Sequence, residues 1–264
     1  MGPLEHLDSE IKHLLKALNG EDILNFGWGS ITTYTVWIVI VSALLLAVVL
    51  FAKSKMTLVP KKNFAAAIEA VVEYIRREIG ESILGHDANK HMPFLLTIFF
   101  FILASNLVGL IPGAKAATGT FSATLVLAVV SFIYFNYWGL RHAGLLPYVK
   151  NLAPAGLIPG VNVLVWLIEV FSLFLRIATL SLRLFANMYA GHIVLGTFAI
   201  LTTLFAFPAI QEFTLANLAG AAPALGWVLL LIAMYAMELL VAFIQAYVFT
   251  LLSAVYIQLA TSEH

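Results

Sequence analysis

Arg183 is the residue from which any chemistry of this chain has to be argued. It stands in the run Leu173 to His192, LFLRIATLSLRLFANMYAGH, and between Val170 and Ser262 the only other formal charges are Arg176, Glu212 and Glu238. An arginine at the centre of a bilayer costs about 2.5 to 3.5 kcal/mol on insertion scales, so an ionisable residue in such a stretch is read first as functional. The plainer alternative is a side chain that snorkels to the nearest interface. Roughly 20 or more residues, ~30 Å of helix, separate Arg183 from Gly160 on one side and from Pro208 on the other. Its side chain therefore reaches water by the helix ends only where the helix breaks or lies flat.

The neighbours of Arg183 are spaced as one helical face. Glu169, Arg176 and Arg183 are seven residues apart, which places them within about 40° of one another, with Ser172 and Thr179 on the same side. His192 follows Arg183 by nine residues, about half a turn around the helix, so the two look into different compartments. Farther along, Glu238 and Gln245 are again seven apart, with Tyr235 one turn before Glu238. An imidazole exchanges protons near neutral pH, and an apolar surround disfavours the charged form of any ionisable group. Arg, His, Glu and Gln clustered on long apolar helices thus point to ion transport. Each also has a plainer reading: His192 as a packed core histidine, Glu238 as a structural counter-ion of Arg183, Gln245 as an amide that holds helices together. One intramembrane histidine and no cysteine fall short of a ligand set, so neither a metal nor a cofactor is expected.

The elements that must position these residues are set by composition. The chain is 62% hydrophobic and 11% charged, with a mean hydropathy of +0.98, against about 25% charged residues in soluble domains. It reads as an integral membrane protein. The formal net charge is zero, so nothing suggests a nucleic-acid partner, and the absence of cysteine removes disulfides and thiolate catalysis together.

Residues 1–29 carry Glu5, Asp8 and Glu10 where a secretory signal would be basic. Leu4, Leu7, Ile11, Leu14, Leu15 and Leu18 recur at helical spacing, which predicts a short amphipathic helix outside the membrane core. Residues 30–264 form one membrane domain. The uncharged stretches 30–52, 92–114 and 116–140 are long enough to cross a core of about 30 Å. The segment 61–85, with Phe64, Ile68, Val71, Val72, Ile75 and Ile79 opposite Glu69, Glu73, Arg76, Arg77 and Glu78, is expected to lie along the interface. Tyr134, Tyr137 and Trp138 close the third span as an aromatic belt, and Asn106 and Asn136 read as helix-packing amides. Residues 161–207 and 223–262 are each far longer than a bilayer needs. Either the first breaks near Gly191 or Gly196, or the two form a tilted hairpin turned at Pro208, Glu212, Asn217 and Pro223. The fold class is therefore an all-α polytopic membrane protein with five crossing helices. Seven Lys and Arg fall between Lys53 and Lys90, and Arg141 and Lys150 follow the third span; the positive-inside rule places those segments in the cytoplasm and the N-terminus outside.

At SLRLFANMYAGH, residues 181–192, and again at ELLVAFIQAYVFTLLSAVYIQLA, residues 238–260, the chain resembles subunit a of the rotary F-type ATP synthase. The resemblance extends less sharply from the first span to the C-terminus and leaves residues 1–29 largely outside. It implies a non-catalytic stator subunit in an energy-transducing membrane, here the bacterial inner membrane, with the C-terminus cytoplasmic. Its implied partners are a ring of c subunits, the b subunits of the peripheral stalk and lipid, and its only substrate is the translocated proton. Arg183 matches the arginine that faces the ring carboxylates, with Asn187 and Gln245 as the polar residues beside it. His192 and Glu238 match the pair of the outer half-channel, and Glu169, Ser172, Arg176 and Thr179 fall where the inner half-channel is expected. In enteric-type members the acid stands at the position of His192 and the histidine at that of Glu238; here they are exchanged, as in mitochondrial members. Residues 118–124 lack the polar motif often seen at the start of the third span, so no channel residue is assigned there. Two other classes remain open on the residues alone: a proton-coupled secondary transporter or ion channel, which should show paired repeats or broken helices, and a non-conducting assembly subunit in which Arg183 is a docking charge.

Overall fold

The computed structural model of the chain describes residues 10–12, 14, 22–25, 30–55, 64–144, 159–211, 220 and 222–261. Their order is β1 (Asp22–Asn25), β2 (Ser30–Thr32), α1 (Thr33–Lys55), α2 (Phe64–Ile75), a π-helical stretch Arg76–Leu84, a 3-10 turn Gly85–Asp87, α3 (Ala88–Gly109), a 3-10 turn Ala117–Gly119, α4 (Phe121–Ala143), α5 (Pro159–Gln211) and α6 (Ala222–Thr261). Among the described residues, five helical stretches are long and apolar enough to cross a membrane: Thr33–Phe51, Ala66–Gly109, Phe121–His142, Val161–Pro208 and Ala222–Thr261. In such surroundings every backbone polar group must be satisfied within the chain, which an uninterrupted helix does. Threonine and serine hydroxyls follow the same rule. Thr179, Thr197, Thr250 and Ser253 donate to the carbonyls of Leu175, Ile193, Ala246 and Phe249, four residues back.

Two departures from the sequence reading concern where elements begin and end. The first span starts at Thr33 because β1 (Asp22–Asn25) and β2 (Ser30–Thr32) pair as an antiparallel ribbon, where the amphipathic N-terminal segment and the head of the span had been expected. Of that segment's apolar stripe only Ile11 and Leu14 fall among the described residues, and both are in helical conformation. Leu14 packs into the notch left by Gly196 of α5. The third span starts at Phe121 because the chain first turns back at Gly113, whose φ of +88° favours glycine, and through the 3-10 turn.

The core sits where α3, α4 and α6 meet the π-helical stretch and the inner side of α5. Ile75, Ile79, Leu95, Phe99, Phe135, Leu184, Phe249 and Ile257 are fully or nearly fully buried there. Ile75 and Ile79 come from the amphipathic face read between 61 and 85, while Arg76, Arg77 and Glu78 beside them are exposed. Arg77 donates to Glu73 at 2.6 Å and Arg76 lies 3.4 Å from Glu81. The outward faces of α1, α4 and α5 are apolar and exposed, as lipid contact requires.

α5 is one continuous helix of 53 residues and α6 one of 40. No break occurs at Gly191 or Gly196, and α5 passes Pro208 before ending at Gln211, four residues beyond the expected stop at 207. A proline that close to a helix end forfeits only one late hydrogen bond. Glu212 and Asn217 of the expected turn lie outside the described residues. Phe198 stacks on Trp227 with ring centroids 6.0 Å apart, Gly191 meets Glu238, and Arg176 lies over Tyr256. The partner's number rises as the other's falls, so α5 and α6 run antiparallel.

Candidate functional site

The polar residues of α5 separate by face as their spacing requires. Arg183 is exposed on the outer flank of the helix, and among the described residues it has no hydrogen-bond or ion-pair partner. The pairing of Arg183 with Glu238, one of the plainer readings, is not made. About 80° around the helix, Gly191 is buried against α6, and a Cβ placed on it would fall within the carboxyl of Glu238. Only glycine leaves that space. The Glu238 side chain, 7% exposed, is thus seated on α5 at Gly191, and His192, the next residue of α5, is half-buried.

One turn nearer the start of α5 lies Asn187, whose side-chain amide nitrogen is buried without a hydrogen-bond partner. Such a group costs about 1 to 3 kcal/mol until something polar reaches it. Gln245 is 7% exposed on α6, seven residues and about 20° from Glu238.

Toward the opposite end of the hairpin, Arg176 donates to Glu169 at 2.9 Å, with both side chains partly exposed. Arg176 also lies over the ring of Tyr256, its Cζ 5.1 Å from the centroid. Tyr256 was missed in the sequence, although the signal is there: it follows Glu238 by 18 residues, five whole turns, and so continues the Glu238 and Gln245 face. Ser172 is half-buried and Thr179 exposed beside this pair. The structure thus brings Glu169, Arg176 and Tyr256 together at one place on the hairpin and seats Glu238 at Gly191, next to His192 in the chain, at another, with Arg183 between the two places along α5.

A second polar network was left unassigned by the sequence. Thr118 Oγ1 donates to Asn106 Oδ1 at 2.6 Å, the Thr118 backbone N–H donates to Ser105 Oγ at 3.0 Å, and Asn106 Nδ2 donates to the Ala242 carbonyl of α6 at 3.5 Å. All three side chains are fully buried. Asn106 is therefore an amide that ties helices together, as its isolation in an apolar span suggested, and it fixes the turn of α6 that follows Glu238.

Long apolar helices with ionisable groups buried on one side of a hairpin and a bare guanidinium on the other define a polytopic membrane protein built to handle an ion. Residues 34–258 match the family described as ATP synthase A chain. The chain is 38% identical over 238 residues to a protein named ATP synthase subunit a from Chlorobium phaeobacteroides, covering 89% of this chain and 66% of that one. It is equally similar, with the same coverage, to one named ATP synthase subunit a 2 from Chlorobium luteolum. A relative from Myxococcus xanthus, named ATP synthase subunit a, is 37% identical over 239 residues, 88% of this chain and 73% of its own. The chain belongs to the ATP synthase A chain family and is a multi-pass membrane protein. It spans about two thirds of the length of the first two relatives.

Proposed function

We propose that this chain is the non-catalytic stator subunit of an ATP synthase membrane sector, providing two offset proton half-channels to a rotating ring of c subunits and coupling proton flow to ATP synthesis. One observation carries the reading: Arg183, in mid-helix and exposed, has no anion among the described residues of its own chain. A guanidinium placed at membrane depth needs an anion. A ring carboxylate brought past by rotation supplies one without forming a permanent pair.

A proton enters from the outer side past His192 and Glu238, neutralises a ring carboxylate and is carried around. It leaves on the other side past Thr179, Ser172 and the Arg176–Glu169 pair. At about 4 Å and an effective dielectric near 20, Arg183 attracts an ionised carboxylate by ~4 kcal/mol, enough to favour release of its proton. The same charge repels a proton attempting to pass straight between the half-channels. Asn187, whose amide is buried and unsatisfied, and Gln245 offer hydrogen bonds to the carboxylate in transit. A membrane potential contributes ~2.3 kcal/mol per charge per 100 mV.

The hairpin of α5 and α6 lies tilted against the ring, since helices of 53 and 40 residues exceed the thickness of a bilayer. The stretch 64–87 lies along the cytoplasmic interface, where the peripheral-stalk b subunits approach. The membrane is the bacterial inner membrane, with the N-terminus outside. Blue-native electrophoresis with mass spectrometry tests the assignment. Co-migration of this chain with ATPase and c subunits is the expected result, and a lone monomer or dimer would return it to the transporters.

A further inference from the structure

At the end of the bundle that carries Arg141, α3, α4 and α6 leave an open cavity of about 170 Å³. Among the described residues, Lys90, His91, Arg141 and His142 line it against a single carboxylate, Asp87, with Trp138 as its aromatic wall and Thr261 of α6 at its edge. Two cations share that wall: Lys90 Nζ lies 4.1 Å and Arg141 Cζ 5.4 Å from the Trp138 ring centroid. Both side chains are exposed. His91, 1% exposed, is held in place by Tyr134, its Nδ1 3.1 Å from the hydroxyl.

Arg141 and His142 in the last turn of α4 complement its dipole, but Lys90 stands in the first turn of α3, where the dipole opposes a cation. Two cations drawn over one ring, one of them at the wrong end of a helix, are accounted for by an anion shared between them. The surface below supplies the other half of a ligand. Val126, Val130, Ile133 and Tyr137 are exposed along α4 at helical spacing and lead directly to Arg141, which donates to the Tyr137 hydroxyl at 3.4 Å. We infer that this groove is a binding site for one anionic diacyl phospholipid, its phosphate between Lys90 and Arg141 and an acyl chain along the Val126–Tyr137 stripe of α4. A basic pocket between helices at an interface recognises such headgroups through charge, and the stripe distinguishes a lipid from free phosphate. The site plays no part in the proton path proposed above, so it can fail without that reading failing, and the reverse.

The test uses the chain purified in its native complex and placed in nanodiscs of phosphatidylcholine doped with phosphatidylglycerol. A photoactivatable phosphatidylglycerol should label α4 between Val126 and Arg141, and the matching phosphatidylcholine probe should not. Native mass spectrometry should find one retained phosphatidylglycerol that Lys90→Gln with Arg141→Gln loses, affinity falling roughly fivefold for each cation removed. Lys90→Arg with Arg141→Lys should keep it, as should Arg77→Gln, which removes a charge elsewhere on the same side. Equal labelling by both probes, or loss in Arg77→Gln as large as in the double variant, would reduce the effect to general surface potential and overturn the proposal. So would displacement of the lipid by inorganic phosphate, or release of a stalk subunit from the double variant with lipid retention unchanged. A double variant that fails to assemble leaves the photolabelling of the unaltered chain to decide.

Discussion

Arg183 is asked to act on another chain's carboxylate, and its own surroundings indicate what its loss should do. With no hydrogen bond or ion pair among the described residues, it contributes little to packing. Arg183→Ala should therefore leave the complex assembled and abolish coupled synthesis in energised vesicles. ATP synthesis near the unaltered rate, or disappearance of the subunit from the membrane, would contradict that role. His192 and Glu238 make a different demand. Glu238 is seated on Gly191, the residue before His192; if the two share the proposed outer half-channel, His192→Glu places two carboxyls on one apolar path, where both cannot readily ionise together. Adding Glu238→His restores one acid and one imidazole. Proton pumping in inverted vesicles should rank the unaltered protein first, the double variant second and His192→Glu last. A double variant no better than the worse single one would separate the two residues. Gly191→Ala should also lower pumping with assembly intact, because its methyl takes the space of the Glu238 carboxyl, and Gly191→Ser should do so at least as much.

The register of α6 against α3 is held by polar groups in an apolar interface, and their removal should be felt as stability. Thr118→Val leaves Asn106 Oδ1 and the Ser105 hydroxyl without the Thr118 hydroxyl they meet at 2.6 and 3.4 Å. A buried acceptor left unsatisfied costs about 1 to 3 kcal/mol. Thermal loss of the folded subunit should move to lower temperature, with pumping per assembled complex unchanged. Because Asn106 and Thr118 belong to one network, Asn106→Leu with Thr118→Val should cost less than the two single costs added; strict additivity would show that they act separately. The Ser131–Ser253 contact at 2.9 Å between α4 and α6 is a smaller tie of the same kind.

If each of the five described helices long enough to span the membrane crosses it once, the parts that share a side are fixed. The chain has no cysteine, so single cysteines report their side directly. Glu81→Cys and a tag after His264 should be reached from the cytoplasmic side, and Lys115→Cys and a tag at Gly2 from the other. Labelling of Glu81→Cys and Lys115→Cys from the same face of sealed vesicles would remove the crossing assigned to α3.

Much of this was legible in the residues. Uncharged runs of span length announce membrane helices because hydrocarbon tolerates little else, and seven-residue spacing announces a shared face because 700° is nearly two full turns. The same arithmetic set Arg183 and His192 on opposite faces of α5 and Glu238 and Gln245 on one face of α6; which of those faces is exposed came from the packing. What sequence could not supply depends on contacts distant in the chain. Whether α5 breaks at Gly191 is decided by α6, since that glycine serves the Glu238 carboxyl and not a kink. Asn106 could be read as glue, but its partners, Thr118 and the Ala242 carbonyl, appear only once α3, its following turn and α6 are packed. Tyr256 joins Arg176 only because the hairpin is antiparallel in this register. Local periodicity determined which face each residue occupies; tertiary packing alone determined what that face meets.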